Sequence, residues 1–134
     1  MTPTFSGSLL LLDSTVVIDV LRNRNQRRAW LEQLVLSGKV LATSAISIAE
    51  VYSGVRSAEE QATRILLVNL NWIPVSGAIA ERAGRLKAAL RDQGRTRSIT
   101  DMIVAATALE NGCMVATDIR KDFQMLGLTF ATLP

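Results

Sequence analysis

The 134 residues are 49% apolar and carry fifteen Lys+Arg against twelve Asp+Glu, a net charge of +3, with one cysteine and no histidine. This length and apolar share describe one globular domain spanning residues 1–134 and exclude a disordered chain. The absence of histidine removes imidazole bases, His metal ligands and Ser-His-Asp or Cys-His catalysis, and lone Cys113 can form neither an internal disulfide nor a cysteine zinc cluster.

In chain order, the run Leu9–Leu12 is short, has no basic residues before it and is stopped by Asp13, so it is not a signal peptide. No apolar stretch approaches the ~18–20 residues of a membrane helix. A cytoplasmic protein is the expectation. Runs without helical period at Leu9–Leu12, Val40–Thr43, Trp72–Val75, Met114–Thr117 and Phe130–Leu133 are predicted strands. Between them, helical spacing predicts Gln26–Leu36, with Ala29, Trp30, Leu34 and Val35 on its core side and Arg27, Arg28, Glu32 and Gln33 elsewhere. It also predicts Ser44–Val55, then Ala58–Asn69 with a stripe of Ala62, Ile65, Leu66 and Val68, then Ala78–Asp92, and a deeply buried Met102–Leu109. Gly38, Gly94 and Gly112 follow helical patterns at the position of a left-handed C-terminal cap. Pro74 marks the third strand as an edge or shortens it. Strands apolar on both faces and alternating with helices predict an α/β domain, a parallel sheet sandwiched between helices.

Ligands of such sheets bind outside the carboxyl ends of the strands. Asp13 and Asp118 each follow a strand directly, Glu50 lies on a helix beginning just after the second strand, and Asp101 opens the apolar helix. Each residue has an ordinary reading as a cap or a solvated side chain. Together they form a possible carboxylate cluster at one edge, where like charges repel unless a cation is bound. Hard oxygen donors favour Mg²⁺ or Mn²⁺, and the matching reaction is phosphodiester hydrolysis by a metal-activated water. Neither GxGxxG nor a P-loop occurs.

The segments LLLLDSTVVIDVL, SAISIAEVYSGV, SITDMIVAATALENG and VATDIRKDF, in this order from Leu9 onward, resemble the PIN-domain ribonucleases, in particular the VapC-type toxins of toxin–antitoxin modules. The resemblance implies a four- to five-stranded parallel sheet and a Mg²⁺- or Mn²⁺-dependent endoribonuclease. It maps the family's acidic metal ligands onto Asp13, Glu50 and Asp101. The fourth falls on Asp118, which follows Thr117 directly where the family often has one residue between. Ser14 and Thr117 become hydroxyls that orient the ligands or the substrate. A homodimer is implied, as is an antitoxin partner whose C-terminal segment enters the acidic groove.

Twelve of the fifteen cations are Arg, whose planar fork suits phosphate. Arg22 and Arg24, and Arg95 and Arg97, are the candidates for holding an RNA backbone; solvated helix faces are the alternative. An RNA- or partner-binding PIN-like module without catalysis is the other functional reading. A small-molecule phosphatase would need a nucleophile motif that is missing here.

Overall fold

Four consecutive leucines offer no polar position to either side of a strand, so β1 (Leu9–Leu12) must be covered on both faces. The computed structural model describes residues 9–123 and 126–134 and places β1 at the centre of a five-stranded sheet. The chain continues through α1 (Ser14–Leu21), α2 (Arg27–Leu36), β2 (Val40–Ser44), α3 (Ala45–Ser53), α4 (Glu60–Val68), β3 (Asn71–Ile73), α5 (Gly77–Asp92), α6 (Ile99–Asn111), β4 (Met114–Ala116) and β5 (Thr129–Phe130). Every strand pairing is parallel, in the order β3-β2-β1-β4-β5.

The pleat of β1 sorts the helices into two layers. Leu10 and Leu12 pack with Val16, Val17 and Val20 of α1, Leu31 of α2 and Leu67 of α4. Leu9 and Leu11 face Val104 and Ala108 of α6. Ile79, Ala83 and Leu90 of α5 then cover α6 from outside, against Met102, Ala105 and Ala106. The strands are laid down outward from β1 to β3, and α5 and α6 carry the chain back to β4 on the other side of β1. This reversal opens a crevice between the carboxyl ends of β1 and β4. Among the described residues, no helix is long and apolar enough to cross a membrane.

The predicted α/β sandwich is therefore the observed one, with local differences. The β-branched stretch STVVIDVL, not read as a separate helix, forms α1 because Asp13 caps it and the sheet buries Val16, Val17 and Val20. Strand β3 ends before Pro74 and lies at the sheet edge. Strand β5 begins one residue earlier than expected and ends at Phe130. On α2 the buried residues are Arg27 and Leu31, whereas Val35 is 57% exposed. On α4 they are Thr63 and Leu67, while Ile65 and Val68 stay largely exposed. Periodicity placed these stripes one residue off the face that the sheet selects. The consequence is an apolar groove of about 520 Å³ between α1, α2 and α4, lined by Val20, Leu21, Leu31, Ala62, Ile65 and Leu66.

Gly38 and Gly94 have φ of +87° and +75°, as a left-handed helix stop requires. After α5, Gly94 N donates to Arg91 O and Arg95 N to Leu90 O, the paired bonds of a Schellman motif, which fix the start of the loop into α6.

Leu11 is fully buried at the sheet centre. Leu11→Ala is expected to lower unfolding free energy by about 2–5 kcal/mol, measured by urea denaturation.

Candidate active site

Strand β1 ends at Leu12, and Asp13 continues in extended conformation to become the N-cap of α1. Its Oδ1 accepts from Val16 N at 3.0 Å and from Thr15 Oγ1 at 2.6 Å. Its Oδ2 accepts from Thr117 Oγ1, which projects from the end of β4. Asp13 N donates to Ala116 O at 3.2 Å, and Ile119 N donates to Thr117 Oγ1 at 3.1 Å. The carboxylate is thus immobilised across the β1/β4 crevice. Burial raises its pKa above the ordinary 3.8; the hydrogen bonds from Thr117, Thr15 and Val16 oppose that shift, and the charge of Asp118 adds to it.

Glu50 reaches the same edge from α3, which Ser44 caps at the end of β2 by accepting from Ile46 N. Thr43 Oγ1 donates to Leu12 O at 3.2 Å, tying the end of β2 to the end of β1. Ser14 Oγ donates to Glu50 Oε1 at 3.3 Å. The Glu50 pKa is raised above 4.5, first by burial and then by the charges of Asp101 and Asp13, with the Ser14 bond opposing. Asp101 stands in the first turn of α6, where its N–H donates to the capping Ser98 Oγ at 3.1 Å. The structure therefore brings Asp13, Glu50 and Asp101 into one field, with Ser14 and Thr117 bonded to two of them.

Asp118 has a different partner. Arg27 Nη2 donates to Asp118 Oδ1 at 2.6 Å. Arg27 is 3% exposed, contrary to its expected place on the outer side of α2. It heads the stripe that continues to Leu31, so the helix turns it inward. The sequence does not signal this burial, because an Arg at the start of a helix carries the mark of a solvated position. Thr15 was also missed, although a hydroxyl two residues after an Asp is a recognisable local pairing.

Of the cations proposed for RNA, Arg22 pairs with Glu59 at 3.1 Å, and Arg24 lies exposed between α1 and α2. Arg95 and Arg97 join Lys87 and Arg91 around a groove of about 240 Å³ beside the segment that leads to Ser98 and Asp101. The Lys87 ammonium donates to Arg97 O, bracing that segment. Cys113 is buried and its thiol is pushed up to about 11, so it offers no nucleophile at neutral pH.

Among the described residues, no three acidic groups converge closely enough to hold one ion as the side chains stand. The donor set nevertheless fits a hard divalent cation. It is all oxygen, and Asp101 and Asp13 each disfavour the charge on Glu50, a repulsion that a cation would relieve.

Residues 10–122 match the family model described as the PIN domain. The chain belongs to the PIN domain family. This PIN domain is 34% identical over 109 residues to Ribonuclease VapC10 of Mycobacterium tuberculosis, covering 81% of each chain. It is 30% identical to a chain of a toxin–antitoxin complex from Klebsiella pneumoniae, with a TM-score of 0.69 over 85% of this chain and 89% of that one. Its fold is also that of VapBC2 from Rickettsia felis, a complex bound to a promoter DNA fragment, with a TM-score of 0.79, 20% identity, and 94% and 99% of the two chains covered.

A carboxyl group whose pKa is raised by folding favours the fold while protonated and disfavours it once ionised. In EDTA, stability should therefore fall as pH rises from about 4 through the raised values of Asp13 and Glu50. Asp13→Asn keeps the cap without the buried charge and should melt at or above the wild-type temperature at pH 7. Asp13→Ala, losing the cap, should be about 1 kcal/mol or more less stable than Asp13→Asn. Thermal melts across pH read both expectations.

Proposed function

We propose that this PIN domain is a metal-dependent endoribonuclease and the toxin of a toxin–antitoxin module. The observation that carries this reading is the delivery of Asp13, Glu50 and Asp101 from three separate segments to the switch-point edge of the sheet. Relatedness to a VapC ribonuclease supports the substrate class, and relatedness to a chain from a toxin–antitoxin complex supports the biological setting.

In this mechanism Asp13 would be the fixed ligand, because both its oxygens are held by donors from α1 and from the end of β4. Glu50, steadied by Ser14, and Asp101, at the amino end of α6, would supply the remaining carboxylate oxygens. A Mg²⁺ or Mn²⁺ ion held there would supply Lewis acidity, lowering the pKa of water and offsetting negative charge on the phosphate oxygens. The groove of Lys87, Arg91, Arg95 and Arg97 lies beside the path to Asp101 and holds the RNA backbone through charge, without reading bases. The chain has only six aromatic residues, in keeping with recognition that does not depend on base stacking. The chain has no histidine to serve as a neutral-pH base, and a water acidified by a bound ion would not need one.

The antitoxin is proposed to seat an apolar segment in the groove between α1, α2 and α4, where Ile65 is 56% exposed. A homodimer in the cytoplasm completes the reading.

Purified protein should cleave RNA in Mg²⁺ or Mn²⁺ and stop in EDTA. Asp101→Asn should retain the wild-type melting transition and Glu50→Gln should melt at or above it, while each loses cleavage by about two orders of magnitude or more. Wild-type protein that binds RNA yet cleaves none with either metal would replace this reading with that of a binding module. For the groove, Ile65→Asp should abolish co-purification with the co-expressed antitoxin while leaving RNA cleavage by the free toxin intact.

A further inference from the structure

Among the described residues, Arg27 is the one cation that the fold buries. Its Nη2 is satisfied by Asp118, and its Nε and Nη1 are buried without a hydrogen-bond partner. A buried guanidinium holding a single carboxylate is an expensive arrangement, and losing that carboxylate would leave the charge wholly uncompensated. Asp118, with its side chain 42% exposed, has the freedom that Arg27 lacks. It also directly follows Thr117, the residue that clamps Asp13, so the ion pair abuts the acidic edge.

We propose that Arg27 is the internal counter-ion of this edge, a positioning residue that commits Asp118 to itself and leaves the metal to Asp13, Glu50 and Asp101. The assignment rests on the metal-dependent reading above. At 3% exposure the guanidinium cannot grip RNA, so it acts through its partner. Asp118 cannot swing to a metal without stranding Arg27, and a carboxylate shared with a guanidinium gives an ion little net charge. Charge balance favours the same division. Four ionised carboxylates around one divalent ion leave an excess of about two negative charges, and Arg27 halves it, easing approach of an anionic phosphate.

The test is calorimetric titration of the purified full chain with Mn²⁺, alongside thermal melts. Arg27→Met removes the charge with little change of volume and frees Asp118, so Mn²⁺ should bind about tenfold more tightly. That gain should vanish in Arg27→Met/Asp118→Asn. Asp118→Asn alone should weaken Mn²⁺ by no more than about tenfold, against more than about a hundredfold for Asp13→Asn. It should also lower the melting temperature by stranding Arg27, and the double variant should recover that loss. A pair with a structural role only would shift melting but give no tightening in Arg27→Met, and this result would overturn the proposal. So would Asp118→Asn losing Mn²⁺ as completely as Asp13→Asn. Wild-type protein that takes up no Mn²⁺ would instead overturn the metal-dependent reading, and the assignment of Arg27 with it.

Discussion

The clamp on Asp13 sets the terms for everything around it. A carboxylate in a nearly closed crevice loses most of its hydration, and hydrogen bonds only partly replace it. Two come from residues just after it in α1, where capping a helix is an ordinary local use of Asp. The third comes from Thr117 across the sheet. That bond exists only because β4 pairs in register with β1, aligning Leu12 with Ala116. The apolar sheet, the helix cap and the acidic edge are therefore one construction. Moving β4 by one residue would turn Thr117 to the other face and leave an oxygen of Asp13 without its donor.

Around that fixed point the charges are segregated. Acids occupy the edge itself, while Lys87, Arg91, Arg95 and Arg97 gather beside the approach to α6. Net charge is a poor guide to such a surface, since the acids at the edge cancel part of an Arg-rich periphery. The small excess of +3 is therefore compatible with a polyanionic substrate. Arg27 belongs to neither population, being inside the fold and facing a carboxylate.

Much of this was legible in the sequence because several signals are local. Leu9–Leu12 announces a central strand by lacking any polar position. Gly112 marks the end of α6, although the helix starts at Ile99 under a Ser98 cap, three residues ahead of the expected Met102, and each acid is placed by the strand or helix that precedes or follows it. What escaped reading depended on contacts between distant segments. The helix α1 has β-branched residues that argue weakly against it, and burial beneath the sheet overrides them. The stripes of α2 and α4 were misjudged because periodicity gives the spacing of a face but not which of two adjacent faces the sheet takes. The pairing of Arg27 with Asp118, 91 positions later, has no local signature at all.

The separation between Asp13 and Thr117 is greater still, at 104 positions, and it bears on how the molecule comes into being. On a ribosome the first strand and its helix are made well before the residue that closes the crevice, which follows 104 positions later. Pairings this remote in sequence are among the slowest to form. Until β4 slots in beside β1, the nascent chain has a capped helix but no assembled pocket. For a protein read as a nuclease that attacks RNA, such an order of assembly keeps the growing chain harmless until β4 has been made and has paired with β1.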